Sequence, residues 1–175
     1  MDLDKKFVGL HQSLMALSHD EGFVDQDRDI KLRDILKLCV QELQVSRASI
    51  WVFDAHKETL VCELLYVSEQ DEFSAGLELF RAQYPNYFQA AAESRIINAD
   101  DARLDPRTSE FTDSYLSPLN IYSMLDAPIY SGAKLSGVIC IEHTKNKRTW
   151  DIAEMSYAAS IADTISLMNS REVWL

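Results

Sequence analysis

The chain has 175 residues, 47% of them apolar, which is enough for one packed domain with a helical extension. Its 17 basic residues face 28 acidic ones, and the net charge of -11 disfavours nucleic acid and membrane surfaces as partners. No apolar run approaches the roughly 20 residues that cross a bilayer, the N-terminus lacks the apolar stretch of a secretory signal, and Cys39, Cys62 and Cys140 are odd in number and far apart; a cytoplasmic protein with reduced, buried thiols and no metal site is expected.

Leu3, Phe7, Leu10, Leu14 and Leu17 recur at spacings of 4, 3, 4 and 3. That is the seam of a short coiled coil, and it predicts an N-terminal helix that packs on the domain or on its copy in a dimer. Residues 20–27 read as a turn, so an N-terminal dimerisation unit over 1–22 is followed by the domain proper over 23–175. A second helix is expected over 27–44, with Leu32, Ile35, Leu36, Cys39 and Leu43 on one face. The run 48–53, β-branched and aromatic on both faces, predicts a central strand, and 59–66 predicts the returning strand of a hairpin. The acidic stretch 68–76 reads as a loop and 77–80 as a short strand. Pro85 opens a helix through Ala92, and Ile96–Ile97 forms a short edge strand.

Residues 105–110 make a turn into a helix over 111–116, which Pro118 closes. Two strands, 123–130 and 135–143, are joined around Ser131-Gly132-Ala133-Lys134. Lys145, Lys147 and Arg148 read as a solvated turn, and His143 as a solvated or capping histidine at the strand end. Thr149 is expected to cap a last helix running from Trp150 toward Arg171, with Ala158, Ile161, Ile165 and Met168 as its apolar stripe. The order of elements argues an α+β sheet with helices at its edges. Arg171-Glu-Val-Trp-Leu175 reads as a helix cut before its natural end, so a longer protein is expected.

Several pieces occur in one order: Arg47-Ala-Ser-Ile-Trp-Val-Phe-Asp54, Asp105-Pro-Arg-Thr108, Tyr115-Leu116, Ser123-Met-Leu-Asp-Ala-Pro-Ile129, Gly137-Val-Ile-Cys-Ile-Glu-His143, and Arg148-Thr-Trp-Asp151 with Glu154. Over roughly residues 25–170 this pattern resembles the GAF domain, of the kind found in bacterial sensor histidine kinases and diguanylate cyclases. The resemblance implies an antiparallel six-stranded sheet, long N- and C-terminal helices on one face and a ligand pocket on the other. It also implies a homodimer through the terminal helices, a C-terminal effector domain, and a sensory rather than catalytic role. Strand alternation combined with the resemblance puts Trp51, Phe53, Met124, Asp126, Cys140 and Glu142 on the pocket side, with Tyr84, Thr112 and Tyr115 closing it. An aromatic pocket with two carboxylates suits a neutral or cationic organic ligand better than a phosphate ester.

The same residue types have simpler uses. Trp51, Phe53, Tyr84, Tyr115 and Met124 suit any core, and Asp126 and Glu142 are costly inside unless paired or solvated. No cofactor is expected: where bilin-binding relatives carry a cysteine, this chain has Phe111-Thr112, so a covalent bilin does not fit. The signature of cyclic-nucleotide GAF domains has no counterpart, and no Gly-rich phosphate loop occurs. Two alternatives stay open. One is a dimerisation and relay module with a filled core and no ligand; the other is a reductase of free methionine sulfoxide, an activity that shares the fold and requires exposed, activated thiols.

Overall fold

In the computed structural model, which describes residues 2–93 and 96–171, alternating side chains feed two separate cores on opposite faces of one antiparallel sheet. β1 (Arg47–Phe53) lies between β2 (Thr59–Val67) and β7 (Lys134–Thr144), and β6 (Ile121–Ser131) and β5 (Ile97–Ala99) extend the order beyond β7. The outer edge of β2 is divided between two short strands. β3 (Glu72–Ser74) pairs with its second half and β4 (Glu78–Phe80) with its first. The sheet thus has seven strands rather than the expected six. The additional one, β3, lies in the acidic stretch read as a loop. Only Phe73 in it packs, against Tyr66 with ring centroids 4.8 Å apart, so no apolar alternation announces the strand.

Three helices cover one face: α1 (Leu3–Ser18), α3 (Arg28–Leu43) and α5 (Ile152–Arg171). The expected turn after α1 contains a one-turn helix, α2 (Glu21–Val24), because Asp20 accepts a hydrogen bond from the Phe23 amide at 2.9 Å and Phe23 is buried. Only part of the α1 seam closes on the domain. Leu10 and Leu14 are buried, whereas Leu3 and Phe7 remain exposed. The stripe Ala158, Ile161 and Ile165 of α5 is fully buried, with Met168 packed at its edge. On the opposite face lies α4 (Pro85–Glu93), burying Tyr87, Phe88, Ala90 and Ala91.

α5 starts two residues later than Thr149 as cap would have it. Asp151 is the cap: the Glu154 amide donates to its Oδ1 at 3.0 Å, while the Asp151 amide donates to Glu154 Oε2 at 3.1 Å. This reciprocal box satisfies two amides that the helix leaves open. Glu154, almost fully buried, also accepts from Lys6 at 2.8 Å and from Arg148, tying α1 to the start of α5. The basic turn is therefore neutralised rather than simply solvated. Arg148 also stacks over Trp150 and reaches the Leu43 carbonyl, Lys147 pairs with Asp101, and Lys145 lies 3.6 Å from Glu69.

Two backbone features shape the sheet. A bulge on β2 leaves Glu63 opposite no partner, since Ile50 pairs with Leu64 and Trp51 with Cys62. The phase of β2 therefore changes: Leu60 and Cys62 join the α4-side core, and Leu64 and Tyr66 join the core under α3. Gly137 lets β7 approach β1 so closely that an added Cβ would sit 2.1 Å from the Trp51 carbonyl oxygen. Among the described residues no helix is long and apolar enough to cross a membrane. The reading of 172–175 as an interrupted helix lies outside the described residues.

Candidate functional site

The face opposite the long helices carries the chamber. Its floor is the sheet, where period-two alternation aims Trp51, Leu60, Met124, Cys140 and Glu142 to one side. Its roof is Leu79 from β4, Tyr87 from α4, and Phe111 and Tyr115 from the segment before β6. That segment is not the expected α-helix. Ser109–Phe111 forms a 3-10 turn and Thr112–Leu116 a π turn, with the Ser117 amide donating to the Thr112 carbonyl at 2.8 Å. The side chains fill most of the space they enclose: the cavity among them is about 10 Å³, room for one water at most.

Of the nine residues assigned from sequence, Trp51, Tyr115, Met124, Cys140 and Glu142 line the chamber. Phe53, Tyr84 and Asp126 stand behind this lining. Phe53 packs edge-on against Phe88, and Tyr84 tilts against Phe111 with its hydroxyl 2.9 Å from Ser114 Oγ. Asp126 accepts from the Tyr87 hydroxyl at 2.6 Å. Thr112 belongs elsewhere, since its hydroxyl donates to the Arg103 carbonyl at 3.2 Å.

Sequence reasoning missed Arg47 and Tyr87. The signal for Arg47 was its alternation with Ser49 and Trp51, yet a charged residue opening a strand reads as solvated. In the fold it is 7% exposed, with Nε 2.6 Å from Glu142 Oε2 and Nη2 donating to the Tyr115 hydroxyl at 3.1 Å. Ser49 is committed as well, accepting from the Trp51 indole at 2.8 Å.

The electrostatics of this face are those of buried acids. Burial drives the Glu142 carboxyl above its usual range, and the Arg47 guanidinium pulls it back only in part. Burial likewise carries Asp126 up to about 7 against the Tyr87 hydrogen bond. Both carboxyls keep an unsatisfied oxygen: Asp126 Oδ1 and Glu142 Oε1 have no hydrogen-bond partner among the described residues. Burial also raises all three thiols, with Cys62 at about 11, and this is the reverse of what a nucleophilic cysteine requires. Among the described residues no group of three His, Cys, Asp or Glu side chains gathers as a metal set.

The fold recurs in solved structures. The GAF domain of a phosphoenolpyruvate-protein phosphotransferase from Coxiella burnetii superposes with a TM-score of 0.69 at 15% identity, covering 99% of each chain. The GAF domain of PixJ from Thermosynechococcus elongatus, in its blue-light-absorbing form, gives 0.67 at 18% identity over 86% of this chain and 92% of that one. The GAF domain of a two-component sensor histidine kinase from Bacillus halodurans gives 0.61 at 22% identity over 82% and 97%. Among curated proteins none matches. The family model for the GAF domain matches residues 27–168, and the chain belongs to the GAF family.

Proposed function

We propose that this chain is a sensory domain that binds a small neutral or cationic organic molecule on the chamber face. It then relays occupancy through α1 and α5 to an effector domain. One observation carries the reading: two carboxyls, Asp126 and Glu142, are buried on a largely apolar face with an oxygen each left unsatisfied. Such groups cost stability unless something donates to them, and a ligand with N–H or O–H groups would. The relay has a physical route, because β1, β6 and β7 present one face to the chamber and the other to the helices. A ligand acts by preferring one of two arrangements of that packing. We include a second copy of the chain as partner, since Leu3, Phe7, Val8 and Met15 on α1 and Ile152 and Leu167 on α5 are exposed.

Thermal melting against a panel of metabolites tests the reading. A binder at 100 times its dissociation constant stabilises by about 2.7 kcal/mol, and Trp51→Ala or Asp126→Ala should abolish the shift. The cavity of about 10 Å³ favours a second reading, a relay module with a filled core. No shift across the panel, with the chain dimeric throughout, would select it.

A further inference from the structure

Arg47 sits in the chamber wall much as a bound ligand would. Its guanidinium meets a carboxylate (Glu142 Oε2, 2.6 Å), a hydroxyl acceptor (Tyr115, 3.1 Å) and an aromatic face, the Tyr115 ring centroid lying 5.6 Å from its central carbon. Carboxylate plus aromatic face is the chemistry by which proteins hold organic cations. Arg47 is also the first residue of β1, at the end of the sheet, and it borders an open groove of about 650 Å³. Glu69 borders the same groove, is 68% exposed, and is only loosely paired with Lys145. A guanidinium released from Glu142 therefore has both space and a counter-charge.

We propose that the chamber face is a cation site filled by the chain's own Arg47, and that its ligand is an organic cation with a guanidinium, amidine or amine head. This cation displaces Arg47 from Glu142, and its apolar body is seated among Trp51, Phe111 and Tyr115. The proposal rests on the reading of the chamber as a ligand site. Charge balance decides the class. An anion gains a donor only by taking Arg47 from Glu142, which leaves a fully buried carboxylate unpaired beside a second one, Asp126. A cation leaves Glu142 paired, offers a donor to its free oxygen, and sends Arg47 into water.

The test compares benzamidine, benzamide and benzoate, three molecules of one shape and different charge, by thermal melting of the full chain. Arg47→Gln empties the site, so millimolar benzamidine should raise its melting temperature by several degrees and that of the wild type by less. Arg47→Gln combined with Glu142→Gln should not respond, and neither benzamide nor benzoate should shift any of them. Equal benzamidine shifts in all three proteins, or none, overturn the proposal, and so does a larger response to benzoate. The metabolite panel decides separately whether the chamber binds anything at all. Should Arg47→Gln fail to fold, the wild type supplies a direct readout in the Arg47 Nε–H resonance. That proton is sheltered while paired with Glu142, and it should exchange rapidly with water as benzamidine saturates. A resonance that stays protected at saturation overturns displacement.

Discussion

At Asp126, burial opposes the hydrogen bonds of Tyr87 and Cys140, and burial wins. The carboxyl titrates at about 7 in the fold instead of 3.8, so between these values the native state keeps a proton that the unfolded chain has released. Its stabilising share is complete below the lower value and is lost as pH rises to the upper one, by on the order of 4 kcal/mol at most. Asp126→Asn cannot ionise and should erase this slope, so its melting temperature should exceed that of the wild type at pH 8 by a margin that narrows as the pH falls and closes only below 3.8. Parallel curves for the two proteins would refute the assignment. Glu142 is raised in the same direction, so only the difference between the curves isolates Asp126. The strand-borne part of the chamber was legible because alternation divides each strand into two sides and the GAF resemblance gave Trp51, Met124, Cys140 and Glu142 to the pocket side. Tyr87 was not, since the facing of a short helix depends on how it docks. Thr112 was given to the chamber by the resemblance, whereas its hydroxyl is committed to the Arg103 carbonyl outside the lining.

Elements here are held by a few committed residues. Glu154 serves as cap partner, as the acceptor of Arg148 and as the anchor of Lys6. Glu154→Ala removes all three and leaves Lys6 with Asp151 and Arg148 with the Leu43 carbonyl, a loss of about 2 kcal/mol. It should lower the midpoint of urea unfolding at unchanged slope; a midpoint within error of the wild type would mean that the box is ornamental. Gly137→Ala must push β7 off β1, because the new methyl meets the Trp51 carbonyl oxygen. Destabilisation of roughly 1–3 kcal/mol is expected by thermal melting, and an unchanged melting point would contradict the close approach. The long elements were readable from periodicity, as with α3 and the β6–β7 hairpin. Two short ones were not: α2 rests on a single cap, and β3 packs through Phe73 alone.

For the whole molecule, the outward apolar residues of α1 are the measure of self-association. Phe7→Glu with Met15→Glu alters two side chains that are 41% and 58% exposed, so the fold should hold. In analytical ultracentrifugation the wild type should sediment as a dimer and the variant as a monomer. A monomeric wild type removes the second copy from the proposed mechanism. The bulge at Glu63 has a consequence at this scale too. Arg28 grips the Glu63 carboxylate and also donates to Asn169 on α5 at 3.1 Å, and Cys62 beside it belongs to the chamber-side core. One surplus residue thus ties α3 and α5 to a strand whose first half belongs to the chamber-side core. A chain shortened by this single residue would close β2 into a regular ladder, with Leu64 and Tyr66 still facing α3, but it would lose the carboxylate through which Arg28 links this strand to α5.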